Sequence, residues 1–94
     1  MPRKVPRKFS LHFGGGVVAE EATYSGEFHE PTIQLLEFQG GEMEGQVLLR
    51  FCTYTHKGSF MRDPLLLNET DIDALREAVA ANPRIHALLR RLVE

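Results

Sequence analysis

Gln46-Val47-Leu48-Leu49-Arg50-Phe51-Cys52-Thr53-Tyr54-Thr55-His56 is the stretch on which the reading of this chain turns. It is rich in branched and aromatic residues and holds neither Gly nor Pro, a composition that fits a pleated strand better than a helix. Side chains on a strand alternate between its two faces. Val47, Leu49, Phe51, Thr53 and Thr55 therefore share one face, which is apolar over most of its length and is expected on the core. Leu48, Arg50, Cys52, Tyr54 and His56 share the other. That row sets a guanidinium, a thiol, a phenol and an imidazole side by side, so Arg50, Cys52, Tyr54 and His56 are the candidate binding residues. The commonplace alternative is a solvated sheet face, where Arg, Tyr and His are frequent.

Hairpin signals flank this strand. Gln39-Gly40-Gly41-Glu42 precedes it and His56-Lys57-Gly58-Ser59 follows it. Both place glycine where a tight turn needs positive φ. Upstream, Thr32–Phe38 reads as a strand with apolar residues on both faces near its middle. Downstream, Ser59–Arg62 returns as a short strand that Pro64 ends. Lys8–Phe13 alternates Phe9, Leu11 and Phe13 against Ser10 and His12, a half-buried strand. Gly14-Gly15-Gly16 is expected to be the hairpin turn after it. A phosphate cradle there is disfavoured, since no Lys-Ser or Lys-Thr follows and no helix opens. Val17–Glu30 is extended but ragged, as one strand or two, and Pro31 marks a turn.

The last quarter is helical. Asn68 is placed to cap a first helix, with Asp71 three positions on and the stripe Ile72, Leu75, Ala78 and Val79. Leu67 and Ile72 have the spacing of a hydrophobic staple. Asn82-Pro83 ends that helix and starts a second, with Asn82 as its cap and Pro83 at its first position; its stripe is Ile85, Leu88, Leu89 and Leu92. Leu65-Leu66-Leu67 is expected to run under the core. Strands first and helices last give an α+β fold: an antiparallel β-meander of about five strands, then a C-terminal helical hairpin packed on one sheet face.

The chain of 94 residues makes one domain, read as a flexible basic arm over residues 1–7 and a single α+β unit over 8–94. Its net charge of −2 is unevenly spread. Arg3, Lys4, Arg7 and Lys8 crowd the start. No Lys or Arg then occurs from Phe9 to Leu49, where Glu20, Glu21, Glu27, Glu30, Glu37, Glu42 and Glu44 lie. No apolar run follows the first basic residues, and none is long enough to cross a bilayer. The single cysteine can form no internal disulfide. A cytoplasmic protein without a membrane partner is the expectation.

No catalytic residue is assigned. Cys52 and His56 share a strand face, but four residues of strand separate them by roughly 13 Å, too far for a thiolate–imidazole pair. His12, His29, His56 and His86 lack metal-ligand spacing, so neither a metal nor another cofactor is expected. The acidic residues Glu69, Asp71 and Asp73 suit a helix N-terminus without any chemistry.

Two functions follow as expectations. The first is a small non-enzymatic protein-interaction or regulatory module. It would bind another protein or, more simply, a second copy as a homodimer, through a sheet face that one helical hairpin leaves uncovered. Leu36, Phe38, Leu48, Cys52 and Tyr54 are the candidates for that uncovered side. The second is nucleic-acid binding, with Arg3, Lys4, Arg7 and Lys8 on phosphates. The acidic span opposes it.

Overall fold

The computed structural model describes residues 3–94. Its strands are β1 (Arg7–Leu11), β2 (Gly14–Thr23), β3 (Glu30–Phe38), β4 (Val47–Tyr54) and β5 (Phe60–Met61). Helices α1 (Glu69–Ala80) and α2 (Pro83–Val93) follow. The strands form one antiparallel sheet in the order of the chain, β1-β2-β3-β4-β5. The fold is thus the expected α+β meander closed by two C-terminal helices.

The helices lie on one face of β2 and β3. Ala22, Ile33 and Leu35 meet Val79 and Ile85 there, with Ala19, Leu49, Ala78, Leu88 and Leu89 packed around them. Asn68 caps α1 as its position predicts. Its side chain accepts from the Asp71 N–H at 2.8 Å, and the Asp71 carboxylate accepts from the Asn68 N–H at 3.2 Å. The second cap differs from expectation. The Asn82 side chain turns back and donates to the Ala78 carbonyl at 2.8 Å. The N-terminus of α2 is capped instead by Glu20 of β2, whose Oε1 accepts from the N–H groups of Arg84 (3.1 Å) and Ile85 (2.9 Å). A carboxylate there satisfies orphan donors and faces the positive end of the helix dipole.

Several local expectations are corrected. The β1–β2 turn is His12-Phe13, because Leu11 pairs with Gly14, and the glycine triplet opens β2. Gly16 stands between Phe9 on one side and Phe38 on the other. Those two rings meet edge to face over it, with centroids 5.2 Å apart. Gly14 leaves room for the Phe38 ring, which would lie 3.2 Å from an added Cβ there. Pro31 is not a turn but lies inside β3, where its carbonyl accepts from the Tyr24 N–H at 3.2 Å. Leu66 does not run under the core; it is 74% exposed, and Leu67 and Ile72 of the expected staple are exposed as well.

The largest correction concerns the two faces of β4. Val47, Leu49, Phe51 and Thr53 do lie on the helix side, opposite Glu37, Leu35, Ile33 and Pro31. The helices sit over β2 and β3, however, and Phe51 stays 48% exposed. The mixed row is the better buried: Cys52 is 4% and Tyr54 7% exposed. Of the residues expected on an uncovered side, Leu36, Phe38, Cys52 and Tyr54 are buried and Leu48 alone is exposed. The reason is curvature. A bulge between Val18 and Glu20 shifts the β2 register, and bulges bend and twist a sheet. The sheet curls so that side chains of β1 and of the β1–β2 turn cover its concave face, as Phe9 and Phe13 do over Phe38.

A polar network on the concave face

Arg3 and Arg7 stand over the strands on this concave face. Met1 and Pro2 of the expected arm lie outside the described residues, and Arg7 already belongs to β1. The Arg3 guanidinium lies 3.8 Å from the centroid of the Tyr54 ring. It donates to Glu21 Oε1 (3.1 Å), Glu30 Oε1 (2.9 Å) and the hydroxyls of Thr23 and Thr32 (both 3.1 Å). Arg7 donates to Glu21 Oε2 at 2.6 Å. Gln34, wholly buried at the centre, donates to Glu21 Oε2 (2.7 Å) and the Tyr54 hydroxyl (2.8 Å), and its Oε1 accepts from Arg50 Nε at 2.7 Å.

Every member thus meets a partner of opposite polarity, the condition under which buried polar groups are tolerated. Burial would raise the carboxyl pKa of Glu21. The hydrogen bonds from Arg7 and Gln34 and the charges of Arg3 and Arg7 outweigh it and hold the pKa below the usual carboxylate range. Glu30 behaves alike: burial opposes ionisation, and hydrogen bonds from Arg3 and His56 with the Arg3 charge overcome it. Burial likewise opposes the Arg7 charge, yet hydrogen bonds to Glu21 and Tyr54 leave its pKa raised.

The four residues expected on one face do share it, but they do different things. Arg50 and Tyr54 are joined through Gln34. His56 sits at the far end, Nδ1 3.4 Å from Glu30 Oε2 and Nε2 3.3 Å from the Glu27 carbonyl oxygen. Cys52 is enclosed, and burial pushes its thiol pKa up despite the Arg50 charge. Sequence reasoning missed Glu21, Thr23, Glu30, Thr32 and Gln34. A signal was present: Glu30, Thr32 and Gln34 alternate with the buried Pro31, Ile33 and Leu35 along β3. Three polar residues in a row on one face of a central strand call for partners across the sheet.

Arg50 carries the chemistry left over. The concave face holds the guanidiniums of Arg3, Arg7 and Arg50 against the carboxylates of Glu21 and Glu30, and among the described residues Arg50 is the one of the three not paired with a carboxylate. The two Nη groups of Arg50 donate to no oxygen among the described residues, while the Phe60 ring centroid stands 5.2 Å from its guanidinium carbon. Beside it is a cleft of about 270 Å³ between β1 and the β4–β5 pair, bounded by Phe9, Val18, Tyr54 and Phe60 and by the polar Arg7, Lys8, Ser10 and Arg50. A larger cleft of about 600 Å³ separates the β2–β3 loop from the start of α1. Its Asp71 is already engaged in the α1 cap.

Among the described residues no group of three His, Cys, Asp or Glu side chains is gathered as for a metal ion, and no helix is long and apolar enough to cross a membrane. No protein-family model matches the chain, and no curated protein or solved structure matches it either.

Proposed function

We propose that this protein is a non-enzymatic interaction module that self-associates, and that its seam is the free edge of β4. One observation carries the reading. β5 pairs only with Thr53 and Tyr54, so β4 from Val47 to Cys52 has a strand neighbour on the β3 side alone. The Gln46 carbonyl accepts from the Phe38 N–H of β3, and the Thr55 N–H donates to Ser59 on the β5 side. By the alternation of antiparallel ladders, the backbone groups of Val47, Leu49 and Phe51 then point away from the sheet.

A free apolar edge is a template for another strand. The sheet's other edge, β1, carries the exposed polar side chains of Lys8 and Ser10. On β4 the one charged side chain, Arg50, is drawn inward onto Gln34, while Val47, Leu48 and Phe51 are exposed. Two copies of β4 related by a two-fold axis at Leu49 would set Val47 of one copy opposite Phe51 of the other. Such an aromatic–branched pair is favourable across strands.

The other expectations point the same way. Arg3 and Arg7 are engaged with Glu21 and Glu30, which leaves Lys4 and Lys8 as the exposed cations of the arm and weakens the phosphate-binding alternative. A buried thiol of raised pKa makes a poor nucleophile, and carboxylates held ionised by guanidiniums make poor proton donors.

Light scattering after size exclusion tests the reading. The expected wild-type mass is that of a dimer, and Val47→Lys/Phe51→Lys, at two exposed positions, is expected to halve it without changing the far-UV spectrum. A wild-type monomer throughout the micromolar range would overturn the proposal.

A further inference from the structure

We infer that the cleft between β1 and the β4–β5 pair is a binding site for a small monocarboxylate with a flat apolar body. The anchor is Arg50. Its Nε is fixed by the Gln34 carbonyl at 2.7 Å, and Gln34 is itself fixed by Glu21 and Tyr54. Gln34 is wholly buried and Tyr54 nearly so, which makes the support rigid. A guanidinium held through Nε keeps its Nη groups for a ligand, and here they donate to no oxygen among the described residues. The planar fork of arginine matches the two oxygens of a carboxylate.

The walls decide the rest of the ligand. Phe9, Val18, Tyr54 and Phe60 bound the cleft, and no carboxylate does. Phe60 lies by the Arg50 guanidinium and Tyr54 stands edge-on to Phe60, with ring centroids 5.6 Å apart. Planar apolar surface next to a cation suits an aryl group carrying an acid. The volume of about 270 Å³ falls just below the usual range for drug-sized ligands, so the fit is to a compact molecule. Arg7 is already paired with Glu21, while Arg50 and Lys8, which also lines the cleft, have no carboxylate partner among the described residues, so the site takes an anion. The aromatic walls favour an aryl carboxylate over phosphate, which has no apolar body to lay on them. This site is separate from the proposed β4 seam, which uses the opposite side chains and the backbone edge.

The experiment is a titration of isotope-labelled full-length protein with 3-phenylpropanoate, and in parallel with inorganic phosphate, followed by NMR. Saturable shifts are expected at Arg50 Nε–H, the Gln34 side-chain amide and the Phe60 ring for the carboxylate, with weaker or no response to phosphate. Arg50→Gln is expected to weaken binding at least about tenfold, and Arg50→Lys to rescue it only in part, because the charge returns without the fork. Phe60→Ala, at an exposed edge, is expected to weaken it severalfold. Absence of saturable shifts in the wild type, shifts confined to other surfaces, or an equal response to phosphate would overturn the inference. The wild-type map decides the matter even if Arg50→Gln does not fold.

Discussion

The guanidinium of Arg3 is stacked on the ring of Tyr54, 3.8 Å from its centroid, so residues that precede the first strand are fastened to the fourth. The same guanidinium reaches both buried carboxylates. Arg3 is thus a structural member of the concave face, although its place in the chain suggests a solvated tail.

Removing it is expected to be costly. Arg3→Ala deletes two ion pairs and a cation–π contact and leaves Glu21 and Glu30 short of a partner. Breaking a largely buried pair in this way typically costs about 3–5 kcal/mol. Some solvent reaches Arg3, so a loss near the lower end, about 3 kcal/mol, is expected. Urea unfolding measures it, and a change below about 0.5 kcal/mol would show that the stack does not hold the fold.

Acid is expected to unfold the protein through the same two carboxylates. Glu21 and Glu30 have folded-state pKa values below their unfolded ones. The unfolded chain therefore binds protons first as the pH falls. The stability contributed is complete above the unfolded carboxylate pKa and disappears as the pH drops through the folded values. Urea midpoints measured downward from pH 7 should decline steeply in the acid range. Glu21→Gln should show a lower midpoint at neutral pH and a shallower acid decline.

Glu20→Ala should loosen α2 from its start. The substitution removes the acceptor for the Arg84 and Ile85 amides, a loss of about 1 kcal/mol for a helix cap. Amide exchange at Arg84, Ile85 and His86 is expected to accelerate while α1, with its own capping box, is little changed. Uniform acceleration across both helices would mean that Glu20 acts on the whole domain.

Gly16→Ala should be among the least tolerated small substitutions. A methyl group there would meet the Glu37 backbone carbonyl, which cannot swing aside without breaking the β2–β3 pairing. Overpacking against backbone costs about 1–3 kcal/mol or more. Gly40→Ala, where nothing is within reach, gives the comparison, since its positive φ supplies strain without a clash. A thermal scan should place Gly16→Ala clearly below it.

Cys52 should be inert in the native protein. Its thiol is buried and its pKa raised, so little thiolate forms at neutral pH and reagents have poor access. Reaction with a colorimetric disulfide should be more than about tenfold slower than for a free thiol and become fast in denaturant. Fast reaction of the folded protein would contradict the packing of β4.

The parts legible in the sequence are those set by near neighbours. The 3.6-residue stripes of α1 and α2, apart from the exposed Ile72 and Leu92 at their outer ends, the Asn68–Asp71 cap and the glycine turns around β4 all act within a few residues of chain, so their types and order give the meander and its helical hairpin. What the tertiary structure alone decided is which side of β4 is buried. Alternation assigns Val47, Leu49 and Phe51 to one side and Arg50, Cys52 and Tyr54 to the other, but it does not say which side is covered. That depends on the Val18–Glu20 bulge, the curl it allows, and polar partners far away in sequence: Arg7 meets Tyr54 across 47 residues, and Glu20 caps Ile85 across 65. A charged or phenolic side chain can be buried only where such partners arrive. Their arrival is a property of the folded sheet: the alternation of Glu30, Thr32 and Gln34 along β3 calls for partners but does not say which residues supply them.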